Sequence, residues 1–276
     1  MNNSLFGFAG GNTWLHRLSG ATKLLAFIGI SIIAMASYDT RFTIAIVVLS
    51  LVLFQQAHIK WAQISLVVKI ITAFSLLNLI TVYIFSPEYG VSLYGTRHLL
   101  LGSSGYFTLT QEQLFYEFNL ALKYIVTVPL ALLFLITTNP SEFAASLNKL
   151  HLSYKISYSV ALSLRYIPDI QNVYHQISLS QQARGYELSK KASPIARLKG
   201  SAQILMPLIF SSLDRIETIS QAMELRRFGR RNKRSWYMDR PYAKADWLVI
   251  GGTIVIIVIG VMLFKVNGGR FYNPFK

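Results

Sequence analysis

The sequence predicts an all-α integral membrane protein: about five transmembrane helices plus a cytoplasmic module of one short and two long amphipathic helices. Three observations carry this. The chain is 53% hydrophobic and only 14% charged, with a mean hydropathy of +0.41, values wrong for a soluble domain of 276 residues. Apolar runs of roughly 14 to 25 residues recur along it, the scale of bilayer-crossing helices. The longest polar segment, 138–246, is strongly basic and carries apolar residues at steps of three and four, the period of an α-helix.

Composition also excludes chemistry. The chain has no Cys, which removes disulfides, thiolate metal sites and Cys nucleophiles. A formal charge of +15 would point to nucleic acid in a soluble protein, but Lys and Arg accumulate in the cytoplasmic loops of membrane proteins, so no nucleic-acid partner is expected. The polar start, Met1 to Gly20, lacks the features of a signal peptide, so the first span is expected to stay in the mature protein.

The first apolar run, Leu24–Ser37, is short for a span, but Lys23 can snorkel at its end. Tyr38-Asp39-Thr40-Arg41 forms a polar turn, and Phe42–Ala57 returns as the second span of a helical hairpin. Trp61–Phe85, interrupted by Lys69, is the third and is long enough to tilt. Ser86–Glu117 turns polar and Gly-rich, too long for a simple connection, with room for a short interfacial helix around Gln111–Phe118. Phe118–Thr138 is the fourth span and carries Lys123 and Pro129, both tolerable where helices pack together. Trp247–Phe264 is the clearest span, an 18-residue run without charge. This divides the chain into a membrane domain of four spans (1–137), the basic module (138–246), and a last span with a short tail (247–276).

Orientation follows from the cations. Segment 138–246 holds 17 of the 27 Lys and Arg residues, and Arg17, Lys23 and Lys60 lie on its side of the membrane. Arg41, Arg97, Lys265, Arg270 and Lys276 fall on the other, with Lys69 and Lys123 inside spans. The split places the N-terminus and the module in the cytoplasm and the C-terminus outside, in a multi-pass protein of the plasma membrane.

Within the module, Pro140-Ser141-Glu142-Phe143 opens a short helix to about Leu150. Ile156, Val160, Leu164, Ile167, Ile170, Tyr174 and Ile177 then mark one face of a long helix. Ile195, Leu198, Ala202, Leu205, Ile209, Leu213, Ile216, Ile219 and Met223 mark a second. Each has a proline near its middle, Pro168 and Pro207, expected to bend it as a hinge. Each ends in a cation before a helix stop: Arg184 before Gly185, and Arg226-Arg227 before Gly229. Arginine in a last turn needs no partner, because it offsets the helix dipole by about 0.3–1 kcal/mol. Two matched ends in one module could also present two guanidinium forks to an acidic partner surface.

Other functions find less support. A membrane-embedded enzyme needs a metal or acid–base cluster, and the five His residues, 16, 58, 98, 151 and 175, show no ligand spacing, so no metal site is read. Asp214 and Glu217 share a helix face and read as solvated acids near Arg215 or Lys199. No Walker glycine loop is present, so ATP is not bound in that manner. A stand-alone secondary transporter would use midplane polar groups, for which Lys69, Asn78 and Lys123 are the candidates; they read as packing or interfacial groups.

At these residues the chain resembles the transmembrane T component of energy-coupling factor transporters, vitamin and metal-ion importers related to ABC transporters. Gly11-Asn12-Thr13-Trp14-Leu15-His16-Arg17-Leu18 with Thr22-Lys23 is similar to the family's opening motif, Gly-x-Ser-x-Leu-His-x-Leu followed by Asp-Pro-Arg-x-Lys. Thr137–Glu142 resembles the segment leaving the membrane, Arg165-Tyr166-Ile167-Pro168 the Arg-Phe-Ile-Pro motif, and Ala183-Arg184-Gly185 the first of two Ala-Arg-Gly signatures. Two departures stand out. Ser19-Gly20-Ala21 replaces Asp-Pro-Arg, and Leu225-Arg226-Arg227 replaces the second Ala-Arg-Gly.

The resemblance implies a coupling module. It implies that Ala183, Arg184, Gly185, Glu224, Arg226, Arg227 and Gly229 meet grooves on two ATPase domains, of one or two chains, which bind the ATP; no cofactor is expected on this chain. It implies that Ile156, Val160, Leu164, Ile167, Ile209, Leu213 and Ile216 grip a substrate-binding membrane S component or each other.

Overall fold

The computed structural model describes residues 13–59, 61–101, 107–186, 194–230 and 235–275. Gly11 and Asn12 of the opening motif, and the side chains of Ile195, Leu198 and Lys199, lie outside the described residues. The chain folds as two compact units, Met1–Asn139 with Arg240–Lys276, and Pro140–Asp239.

The first unit begins with one helical turn, α1 (Trp14–Arg17), then α2 (Gly20–Ala36) and α3 (Thr40–Gln56). Asp39 caps α3 by accepting the Arg41 N–H at 3.0 Å, and Asn267 donates to its other oxygen at 2.8 Å. Burial raises the Asp39 pKa, but the hydrogen bonds from Arg41 and Asn267 outweigh it and hold the carboxyl below its ordinary value. Its contribution to stability is therefore full above the ordinary carboxylate range and is lost only as pH falls through the lowered value.

Next come α4 (Trp61–Phe85), α5 (Tyr89–Tyr94), a two-stranded antiparallel pair β1 (Leu99–Leu101) and β2 (Leu109–Thr110), and α6 (Gln111–Thr137). The segment expected to hold a separate interfacial helix at Gln111–Phe118 differs: those residues are the first two turns of α6 itself. Thr110 caps it by accepting the Gln113 N–H at 3.3 Å. The buried Glu112 accepts from the His98 backbone at 3.0 Å and lies 2.6 Å from its Nδ1, so the polar turns are satisfied by the preceding loop and the helix need not break.

One core cluster of this unit is formed by Ile30, Ile33 and Ala34 of α2, Phe42 and Ile46 of α3, and Val126 and Leu130 of α6. The last helix, α10 (Lys244–Val266), packs on α2. A Cβ on Gly260 would overlap the Ile33 side chain, so glycine is what permits this close crossing. α4, α6 and α10 are long and apolar enough to cross a membrane. Of the five spans read from sequence, α2 and α3 are shorter, 17 residues each, or about 26 Å of helix.

Two of the polar side chains read as midplane candidates are bonded inside the apolar unit. Lys123 Nζ donates to Met35 O at 2.7 Å, at the carbonyl end of α2, and lies 3.0 Å from the centroid of the Tyr38 ring. Tyr124 donates to Asn78 at 2.8 Å, whereas Lys69 is exposed on α4. The tail after α10 returns across the α2–α3 turn, where the Tyr38 N–H donates to Arg270 O at 2.8 Å.

Candidate functional site

The second unit contains α7 (Pro140–Lys149), α8 (Tyr154–Ala183) and α9 (Pro194–Leu225). Ser153 caps α8 by accepting the Ile156 N–H at 3.4 Å. Pro168 and Pro207 sit inside α8 and α9, and each helix continues through its proline. Each proline lacks the N–H that would bond four residues back, leaving the Leu164 and Gln203 carbonyls without that helical partner.

The two helix ends share one backbone design. At α8, Gly185 N–H donates to Gln182 O at 2.9 Å and Tyr186 N–H to Gln181 O at 3.2 Å, with Gly185 left-handed at φ +90°. At α9, Arg227 N–H donates to Glu224 O at 2.8 Å and Phe228 N–H to Met223 O at 2.9 Å, with Arg227 left-handed at φ +52°. Both are the paired-bond closure that ends many helices. Arg184 and Arg226 occupy equivalent cap positions, and both side chains are exposed.

This corrects the expected stop at Gly229. The left-handed residue that ends α9 is Arg227, two residues earlier. Gly229 takes a second left-handed position, φ +86°, beside the Lys155 side chain. The reason is tertiary. Phe228 packs against Tyr158, ring centroids 4.8 Å apart, and against Tyr154 at 5.7 Å, so the chain must turn where its ring reaches them. Trp236 completes the cluster, 5.5 Å from Tyr154, and its Nε1 donates to Asn148 at 3.1 Å. Lys149 and Asp239 close it with a 2.6 Å ion pair.

α8 and α9 run antiparallel. Phe228 meets Tyr158, while farther along Arg215 lies 3.4 Å from Asp169 and 5.7 Å over the Tyr166 ring. Arg215 thus engages an acid on the other helix. The Arg226 end accordingly lies beside the start of α8, and the Arg184 end is roughly 40 Å away at 1.5 Å per residue. Ala183 and Glu224 are exposed, and Leu225 is 86% exposed.

An apolar groove of about 410 Å³ runs between the two helices, lined among others by Leu162, Tyr166, Ile167, Val173, Ile216 and Met223. Of the apolar residues singled out from periodicity, the structure brings Ile167, Ile170, Ile216, Ile219 and Met223 together here. Val160 and Leu164 are half-buried away from the groove, and Ile156, Ile209 and Leu213 are exposed. Leu162, Tyr166 and Val173 fall to one side of the stripe read from sequence, so they were missed. Tyr154 and Tyr158, one turn apart, were the available signal for the aromatic cluster. Among the described residues no group of three or more His, Asp or Glu side chains is placed to hold a metal ion.

Helices of membrane-crossing length, joined to a separate unit of long amphipathic helices ending in exposed arginines, define a helical membrane protein with an appended helical module. The sequence profile of the CbiQ family, cobalt transport protein, matches residues 11–236, and the chain belongs to that family. It is also similar to proteins named energy-coupling factor transporter transmembrane protein EcfT. The one from Leuconostoc gelidum is 27% identical, covering 94% of this chain and 96% of its own length. The one from Streptococcus thermophilus is 27% identical over 92% of this chain and 94% of its own. The one from Exiguobacterium sibiricum is 27% identical over 94% and 97%.

Proposed function

We propose that this chain is the transmembrane coupling subunit of an energy-coupling-factor importer in the plasma membrane, its 138–246 module and N-terminus in the cytoplasm and its C-terminus outside. Two partner ATPase domains bind and hydrolyse ATP. The module carries their motion to a substrate-binding S component, which releases a vitamin or metal ion inside. This chain binds no ATP and performs no catalysis.

The observation that carries the reading is the helix pair. Arg184 and Arg226 are exposed at equivalent cap positions at the two ends of an antiparallel pair, roughly 40 Å apart. Tips so separated suit two acidic grooves on two domains. Each guanidinium can make a bidentate, charge-assisted contact with a carboxylate there. Ala183, Gly185, Glu224, Arg227 and Gly229 shape the two tips, and Pro168 and Pro207 serve as hinges. On α9, Leu205, Met206, Ile209, Phe210, Leu213 and Ile216 are all exposed, an apolar stripe suited to the S component. Ile156, Val160 and Leu164 offer a second apolar contact on α8.

The test is co-purification with the partner chains from native membranes. The double variant Arg184→Glu, Arg226→Glu is expected to lose the ATPases and substrate uptake, and unchanged retention and uptake would sink the proposal. Leu213→Asp is expected to keep the ATPases and release the S component. Retrieval of no ATPase by the unaltered chain in mild detergent would overturn the reading as a whole.

A further inference from the structure

The chain leaves the first unit at Asn139 and rejoins it at Arg240. Both connections are fastened to one short stretch near the N-terminus. Lys23, in the first turn of α2 and only 6% exposed, donates from Nζ to Thr137 O at 2.8 Å and reaches His16 O at 3.5 Å. Thr137 is the last residue of α6, so this bond satisfies a helix-end carbonyl and sets a cation at the negative end of the helix dipole. From the other connection, Arg240 Nη1 donates to the same His16 O at 2.9 Å.

A third tie lies beside these two. Asp246, 1% exposed, accepts the Ser19 N–H at 2.8 Å on one oxygen and the Ala243 N–H at 2.8 Å on the other. The opening stretch lacks the acid and base of the motif it resembles, having Ser19-Gly20-Ala21 there. An acid and a base reach the stretch anyway, as Asp246 and Arg240, from the chain that follows the module in sequence. Below, Leu15, Leu18 and Ala57 are buried together, with Leu133 of α6 and Val249 of α10 packed on them. The start of α2, the end of α6 and the start of α10 therefore converge on residues 16–23.

We propose that residues 16–23 form a shared anchor for both connections of the module, with Lys23, Arg240 and Asp246 as positioning residues. The anchor keeps the connecting backbone from loosening, so a displacement of the module passes into α2, α6 and α10 instead of being absorbed in slack chain. This rests on the coupling role proposed above. Loosening the anchor leaves the arginine tips and their ATPase contacts intact and disconnects them from transport.

Two measurements test it. In the complete complex reconstituted in vesicles, Lys23→Met should leave ATP hydrolysis within about two-fold of the unaltered complex and cut uptake about ten-fold, the scale of one lost charge-assisted hydrogen bond. Arg240→Met should do the same more weakly, and Lys23→Arg should restore part of the uptake. Unchanged uptake, or hydrolysis and uptake falling in proportion, would overturn the anchor. In the isolated full chain, hydrogen exchange needs no partner. Lys23→Met should speed exchange at 137–139 and also at 240–243, because the two connections share His16 O. Exchange confined to the altered side would overturn a shared anchor even if the ATPase contacts stand. Should Lys23→Met fail to fold, Arg240→Met on its exposed side chain gives the same reading in reverse, at 137–139. An unaltered chain that retrieves no ATPase defeats the coupling role instead and leaves the exchange result to decide whether the anchor exists.

Discussion

The ends of α8 and α9 share one backbone and reach it by different means. The α8 end follows from local chemistry: Gly185 adopts φ +90° without a Cβ to obstruct it, and a Cβ built there would meet nothing within 4 Å. At the α9 end an arginine is held at φ +52°, a conformation that strains a residue with a Cβ, and the aromatic cluster of Tyr154, Tyr158, Phe228 and Trp236 holds it there. A helix can thus be stopped by its own sequence or by what the following residue packs against.

This contrast can be broken by substitution, with opening free energies of the module read by hydrogen exchange in the purified chain. The largest effect is expected from Phe228→Ala, which removes the tertiary stop: a loss of about 2–3 kcal/mol, below the fully buried range because the ring is half-buried. Exchange should then rise at the end of α9 and the start of α8 together, and a change confined to α9 would contradict the cluster. Gly185→Ala comes next, expected to cost about 1 kcal/mol and to fray only the last turn of α8. Arg227→Gly should have the opposite sign, a gain of roughly 0.5 kcal/mol once relieved strain is set against the greater freedom of the unfolded chain. A loss there would show that the arginine side chain contributes more to the fold than its backbone strain removes. Asp169→Asn is expected to change stability least, within about 0.5 kcal/mol, because its pairing with Arg215 is partly exposed at 3.4 Å.

The elements written most plainly in the chain were those set by burial in lipid or by local caps. The uncharged run Trp247–Phe264 lies inside α10, and Trp61–Phe85 matches α4 residue for residue. Arg184-Gly185 was legible because a glycine after a cation is a local signal. The continuation of α6 back to Gln111 was not, since it depends on His98 and Thr110 satisfying polar side chains. Nor was the rotation of α8 that brings Leu162, Tyr166 and Val173 to the groove. Periodicity identifies an apolar stripe, but its wide margins leave open which edge meets a neighbour, and the partner helix decides that.

By itself, then, the sequence determined that this is a helical membrane protein, where its long apolar helices run, and that two long helices outside them end in arginine. Those features depend on hydrophobicity, on period and on residues one to four positions apart. Tertiary structure alone decided that Arg227 rather than Gly229 ends α9, that Arg184 and Arg226 lie at opposite ends of an antiparallel pair, and that Lys23, Arg240 and Asp246 meet at one turn. Each of these joins groups from separate elements, and the free energy that selects them comes from packing and hydrogen bonds formed only once the elements assemble.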